Sequence, residues 1–336
     1  MRRVRLPFAA DVEVEFCDRV RALQQVEELA GKGTRYPVVV FGPEGCGKSA
    51  WLRQAAEVLR RAGCDVIYVD PLHREFVAYT EVRGVVRKLA EAASEVIGVA
   101  EVKLATLAID IVRELLNLRG RVAVLVDEVF QAVGLGRAGI YVKSLLNLIE
   151  YPPKSYEKIV VIAATSEDLS RVEIGRHRWA ELTPMWNMSR KGFEELYEQL
   201  RGKSSMPSFE DVWRITGGNP DVLARLYQAE WSADRVIARL VKVKNLTPNF
   251  IKKWGSLLEA ALENPDSLWS ADASKELVDE LIARNLIVYN IYDRDPWFWI
   301  DQPPPEKDLE LGIGRYVAWQ TPLHREAVKE AFREYR

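Results

Sequence analysis

Apolar residues recur along this chain in two patterns. Four short segments are apolar almost without interruption: Tyr36–Phe41, Asp65–Asp70, Arg121–Asp127 and Lys158–Ala164. Runs without polar alternation suit central strands of a parallel sheet covered on both faces. Elsewhere the apolar spacing becomes three and four residues, the period of a helix with one buried face. Ala50–Arg61 places Leu52, Ala55, Ala56 and Leu59 on one side, and Glu81–Ile97 and Glu101–Leu118 repeat the pattern. Strand, helix and strand over residues 36–70 make a βαβ unit, which predicts a parallel sheet with right-handed crossovers. The expected fold class is α/β.

Past Pro184 the pattern turns to helices joined by short turns. Ser189 stands where an N-cap would start a helix over 191–200. Thr216-Gly217-Gly218-Asn219-Pro220 ends one helix, and Pro220 opens the next at its first turn. From Thr247 the order is a helix over 249–263, a helix over 274–285 and a strand over 286–290. A loop with Pro303-Pro304-Pro305 follows, then a strand over 315–319 and a last helix opened by Thr321-Pro322. Helices followed by a hairpin with a long wing make a winged-helix candidate. The expected organisation is a core over 1–188, a helical lid over 189–245 and a winged-helix domain over 246–336. Trp297 and Trp299 alternate with Phe298 in the wing, and core packing is the expectation for them.

Composition narrows the class only a little. The 336 residues are 48% hydrophobic and 29% charged with net charge −2, a normal globular balance and enough chain for two or three domains. No apolar stretch approaches the roughly 18 residues of a membrane span. The basic start, Met1–Arg5, is not followed by the apolar region of a secretory signal, so a cytoplasmic protein is expected. Cys17, Cys46 and Cys64 lack CxxC spacing, which predicts neither zinc nor disulfides. Arginine outnumbers lysine, a weak pointer to a thermophile.

The chemistry lies where the first strand meets the first helix. Gly42-Pro43-Glu44-Gly45-Cys46-Gly47-Lys48-Ser49 matches the phosphate-loop pattern GxxxxGK(S/T) in its required setting. The glycines let the backbone reach phosphate oxygens with no Cβ in the way. The loop N–H groups, through to Ala50, form an anion nest at a helix N-terminus. Lys48 supplies charge for the β and γ phosphates, and Ser49 offers a hydroxyl to Mg²⁺. The strand over 121–126 runs into Asp127-Glu128. Asp127 would hold Mg²⁺, usually through water, and Glu128 would orient and deprotonate an attacking water. Thr165-Ser166 end a further strand, where a γ-phosphate could be sensed; turn residues of this kind are also common at strand ends. The chain has no guanine-reading NKxD pattern, so ATP with Mg²⁺ is the expected nucleotide.

With these residues in place, the chain resembles a known family. It looks like the archaeal ATPases of the STAND class of P-loop NTPases, relatives of the Orc/Cdc6 initiators and the AAA ATPases, over nearly its whole length. The resemblance is carried by Phe16-Cys17-Asp18-Arg19, the loop at 42–49, Asp127-Glu128, Thr165-Ser166, Gly175-Arg176 and Gly217-Gly218-Asn219-Pro220. It implies an ASCE-type P-loop core, Phe16 and Arg19 near the adenine, and Pro220 touching the base from the lid. Arg176 would approach the phosphates, from the same chain or a neighbour. Arg171, Arg176 and Arg178 form a basic cluster, and one of them could be an arginine finger, a device worth about 10³–10⁵ in rate. Two departures stand out. Ala22 precedes Leu23 where the family opening carries an acid, and Asn219-Pro220 occupy the place of the initiators' sensing arginine. The second favours the STAND reading over the initiator reading.

Charge tests whether the winged helix serves DNA. Residues 246–336 hold 11 Lys and Arg against 16 Asp and Glu. The segment 274–285, the expected recognition helix, carries Lys275 and Arg284 against Glu276, Asp279 and Glu280. Phosphate attraction dominates DNA affinity, so an acidic helix is disfavoured there. Three functions stay open: an ATP-driven switch with a protein partner or self-association, a DNA-binding ATPase resembling the initiators, and a nucleotide-stabilised module with negligible turnover.

Overall fold

The structure, a computed structural model, describes residues 3–10, 12–96, 98–118, 120–166, 168–202 and 206–335. The strands are β1 (Arg5–Ala9), β2 (Val12–Glu15), β3 (Val38–Phe41), β4 (Asp65–Asp70), β5 (Glu75–Tyr79), β6 (Arg121–Asp127), β7 (Lys158–Thr165), β8 (Glu181–Pro184), β9 (Ile287–Tyr289) and β10 (Val317–Trp319). The earlier helices are α1 (Val20–Lys32), α2 (Lys48–Arg61), α3 (Val85–Ala93), α4 (Val99–Leu118), α5 (Val129–Val133), α6 (Leu135–Glu150) and α7 (Asp168–Gly175). The later ones are α8 (Arg190–Glu198), α9 (Phe209–Thr216), α10 (Pro220–Gln228), α11 (Ala233–Val243), α12 (Pro248–Glu263), α13 (Lys275–Ala283) and α14 (Pro322–Tyr335). They form two compact units. The first is built mainly from Arg19–Phe41 and Lys48–Pro184; the second from Arg5–Asp18, Gly42–Gly47 and the chain from Met185 onward.

The first unit is an α/β layer structure around a six-stranded sheet of order β5-β4-β6-β7-β3-β8. Every residue of β3, and every residue of β6 after Arg121, is buried, as the lack of alternation requires of strands covered twice. Val122, Val124 and Val126 share one core cluster with Leu89, Leu104 and Leu145 from α3, α4 and α6. Two features depart from the sequence reading. The sheet is mixed, because β5 pairs antiparallel with β4. Only residues 71–74 join those strands, far short of the dozen that a parallel crossover needs. The strands of the opening βαβ unit, β3 and β4, are not neighbours either, since β6 and β7 lie between them. The helix expected over 81–97 is shorter, α3. Its start is set by Gly84 in the left-handed region, and its expected last residue, Ile97, lies outside the described residues.

In the second unit, side-chain caps set the helix starts. Ser189, Ser208, Asn219, Ser232, Thr247 and Ser274 each accept from the backbone N–H three positions on. Each cap of this kind stabilises its helix by about 1 kcal/mol. The apolar faces behind them, with Phe193, Leu223, Leu258, Leu281 and Leu323, merge into one core. Strands β9 and β10 pair antiparallel, Ile287 opposite Trp319. The carboxylate of Asp266 accepts the N–H groups of Arg315 (2.8 Å), Tyr316 (2.8 Å) and Val317 (3.2 Å) and so fixes the approach to β10. Trp297 and Trp299 part company. Trp299 is buried and donates Nε1–H to the Asp293 carbonyl at 2.7 Å, whereas Trp297 is 76% exposed. A 3-10 turn at Pro296–Phe298 replaces the alternating strand that would have put both on one face. Among the described residues no helix is long and apolar enough to cross a membrane.

Candidate functional site

In the first unit the carboxylates gather at the ends of β4 and β6. Asp127 ends β6 and is fully buried. Tyr68 of β4 donates its hydroxyl to Asp127 Oδ2 at 3.1 Å, and Arg53 Nε–H donates to that hydroxyl at 3.4 Å. The Ser49 hydroxyl also bonds to the Asp127 carboxylate. Asp127 Oδ1, by contrast, has no hydrogen-bond partner among the described residues. Burial, and after it the nearby Glu128 and Asp70, raise this carboxyl from 3.8 to about 7. Asp70 accepts from the His73 N–H at 3.0 Å and lies 2.9 Å from His73 Nδ1.

Glu128 has left the strand. Its φ of 43° is left-handed, it stands at the N-cap of α5, and its N–H donates to Ala164 O at 3.1 Å. Its carboxylate is taken up by Ser166, through the N–H at 3.2 Å and through the hydroxyl. Thr165, fully buried, lies opposite Phe41 in the β3–β7 register. Lys48 is buried at the start of α2, and Arg19 is buried with a left-handed φ of 59°. The three arginines read as a basic cluster separate: Arg171 is buried with its guanidinium 4.9 Å from the Phe41 ring centre. Arg176 is 65% exposed and pairs with Glu173 at 2.9 Å, and Arg178 is exposed.

The phosphate-loop residues Gly42–Gly47 belong to the second unit, and there two glycines are required by close approach. A Cβ on Gly42 would lie 1.9 Å from Met185 O, and one on Gly45 would lie 2.3 Å from Asp221 Cβ. Gly45 and Gly47 also have left-handed φ of 74° and 98°. Pro220, expected against the base, sits beside the loop, its Cγ 3.9 Å from the Cβ position of Gly47. Cys46 is buried, its thiol 3.9 Å from Met185 O. Pro43 O accepts from Cys46 N–H at 3.2 Å, and Phe16 is buried in the connection after β2.

Glu44 is the loop residue with the most partners. Its N–H donates to Gln320 Oε1 at 3.0 Å, and its carbonyl accepts from Asn219 Nδ2 at 2.9 Å. Its carboxylate accepts from Asn285 Nδ2 at 2.8 Å and faces Lys244 Nζ at 3.5 Å. Partial burial works against charge on Glu44, but Lys244 and the Asn285 bond outweigh it and hold the carboxyl below its usual 4.5. His324, bonded to Thr321 Oγ1 at 2.9 Å, is pushed down to about 3 by burial and then by the Lys244 charge. Tyr68, Arg53, Gln320 and Asn285 were not singled out in the sequence. A hydroxyl in an otherwise aliphatic strand end could have flagged Tyr68; nothing local flags Gln320.

The first-unit residues fit a divalent cation. A buried carboxylate oxygen with no donor, crowded by two further acids and next to a serine hydroxyl, is the environment a hard cation relieves. Among the described residues no group of three or more His, Cys, Asp or Glu could hold a metal by itself. Ser49 and Asp127 would supply two ligands and leave the others to phosphate oxygens and water.

A family model described as an ATPase domain predominantly from Archaea matches residues 16–226, a span that includes the loop, Asp127-Glu128 and Pro220. The chain belongs to this family. No match was found among curated proteins. Among solved structures it is similar to the Aeropyrum pernix ORC1 protein in complex with DNA, at 16% identity over 95% of this chain and 93% of that one, TM-score 0.39. It is also similar to the Aeropyrum pernix ORC2 protein (12% identity, 93% of each chain, TM-score 0.40). A third is the FIGL-1 AAA domain (14% identity, 65% of this chain and 70% of that one, TM-score 0.40).

Proposed function

We propose that this archaeal-type ATPase binds ATP with Mg²⁺ and hydrolyses it slowly, as a nucleotide-driven switch. The observation that supports it most is Asp127: a buried carboxylate beside the Ser49 hydroxyl, with one oxygen unpartnered among the described residues and its proton held to about pH 7. The loop amides and Lys48 take the phosphates. Ser49 and Asp127 hold Mg²⁺, which when bound offsets the charge of the β and γ phosphates. Glu128 takes the proton of the attacking water, and Thr165 reports on the γ-phosphate. Phe16, Arg19 and Pro220 flank the adenine, and Arg176, exposed in this structure, approaches the phosphates in cis or from a second copy. Slowness follows from Glu128, whose carboxylate must leave Ser166 before it can serve water. The working parts are a core over 1–188, a lid over 189–245 and a winged helix over 246–336 that docks a protein partner.

The test is ATP turnover by wild type, Lys48→Ala and Glu128→Gln, with and without duplex DNA. Lys48→Ala is expected to lose nucleotide binding, and Glu128→Gln to keep binding and lose turnover. Equal hydrolysis by wild type and Glu128→Gln would sink the assignment. Stimulation by DNA that depends on Glu128 would replace the protein-partner switch with an initiator-like ATPase.

A further inference from the structure

Glu44 belongs to a closed ring of hydrogen bonds. Asn285 Nδ2 donates to the Glu44 carboxylate, and Asn285 Oδ1 accepts from Gln320 Nε2 at 2.7 Å. Gln320 Oε1 accepts the Glu44 N–H, which closes the first loop. The Gln320 carbonyl accepts from Asn187 Nδ2 at 3.3 Å, Asn187 Oδ1 accepts from Asn219 Nδ2 at 2.9 Å, and Asn219 Nδ2 also reaches the Glu44 carbonyl. The Asn187, Gln320 and Asn285 amides each engage from both ends, and Asn219 Oδ1 takes the Val222 N–H at 3.1 Å. Three of the four are buried: Asn219 at 0%, Gln320 at 2% and Asn187 at 6% exposure. A buried polar ring is costly unless complete, and when complete it fixes one arrangement.

We infer that Gln320 and Asn285 are positioning residues for the phosphate loop, which they hold through Glu44 in the conformation that receives nucleotide. This rests on the nucleotide-binding reading above. The loop needs such a hold: Gly42, Gly45 and Gly47 have φ of 152°, 74° and 98°, so its backbone has little stiffness of its own. Gln320 and Asn285 are themselves anchored. Gln320 directly follows β10, its N–H donates to Leu286 O at 2.9 Å, and its Nε2 also reaches Ile287 O at 3.2 Å. Asn285 has a left-handed φ of 51° just past α13. Ordering that is complete before binding is not charged against affinity. The ring also makes the loop sensitive to the β9–β10 pair, so nucleotide affinity and the placement of that pair are linked.

The experiment uses the full chain. Fluorescent ADP and ATP binding, turnover, melting temperature and hydrogen exchange of the peptide covering 42–48 are measured for four proteins. They are wild type, Gln320→Ala, Asn285→Asp, and Asn285→Asp combined with Glu44→Gln. Gln320→Ala and Asn285→Asp are expected to weaken nucleotide binding about tenfold and to speed loop exchange, with turnover at saturating ATP lowered less than about twofold. In Asn285→Asp two carboxylates face each other; adding Glu44→Gln rebuilds a donor–acceptor pair and is expected to recover most of the affinity. A role in folding alone would lower the melting temperature without that recovery. Unchanged affinity and exchange in folded Gln320→Ala and Asn285→Asp overturn the inference. If wild type takes no nucleotide, the ATPase reading fails, and equal exchange of the 42–48 peptide in wild type and Gln320→Ala overturns the positioning role separately.

Discussion

Two carboxylates, Asp127 in the first unit and Glu44 in the second, are treated in opposite ways. Asp127 is buried with one oxygen lacking a donor among the described residues, and Glu128 and Asp70 press further negative charge on it. Glu44 is half-exposed to water, and its carboxylate meets an ammonium and an amide. The first holds its proton well above the usual range; the second gives its proton up more readily than usual. A buried acid whose proton is held this far above the usual range is a common mark of a functional site. On the proposed reading the first unit leaves its acid to a cation, whereas the second settles its acid with its own side chains.

The strongest way to break this comparison is Asp127→Asn. Magnesium-dependent turnover should fall by about 10²–10³, read as ATP hydrolysis against Mg²⁺ concentration. Unchanged Mg²⁺ dependence would remove Asp127 from the metal. Next comes Ser166→Ala, which takes away the hydroxyl that occupies Glu128. Turnover at saturating ATP should rise, by up to about tenfold; a fall would mean that Ser166 helps the base rather than restrains it.

The smallest effects have opposite signs and sharpen the contrast. The folded Asp127 keeps, up to about pH 7, a proton that the unfolded chain releases near 3.8. Stability without metal should therefore decline as pH rises between those values. Asp127→Asn should remove the decline and raise the melting temperature at pH 8 by about 2–4 °C, with little change at pH 4. Glu44, lowered from 4.5, contributes stability above that pH and loses it on acidification through its folded value. Glu44→Gln should lower the melting temperature slightly at pH 8, the effect being small because water screens a half-exposed pair. Scanning calorimetry at the two pH values reads both, and shifts of the same sign would dissolve the distinction.

The elements most legible in the sequence were those set by neighbours along the chain. Val38–Phe41, Asp65–Asp70 and Arg121–Asp127 formed strands because their apolar runs needed cover on both faces. Ser189, Asn219 and Thr247 began helices because a cap acts over three residues. Strand β5 escaped notice because an edge strand of half-buried residues has no strong period, and its antiparallel pairing followed from the short link after Asp70. The candidate site divides in the same way. Glycine spacing, Lys48, Ser49 and the acids after an apolar strand could be read directly, since their chemistry depends on local order. That Glu128 turns onto Ser166, that Tyr68 reaches Asp127, and that Arg176 stands at the surface could not.

The sequence by itself determined the α/β layering, several helix starts and the candidate phosphate and cation residues, because backbone propensity, capping and motif spacing act over a few positions. Only the tertiary structure decided the company those residues keep. Glu44 and Gln320 are separated by 276 positions and Asp127 and Tyr68 by 59, and they meet because burial packs distant elements together. Hydrogen bonds that close at such separations leave no periodic trace in the chain.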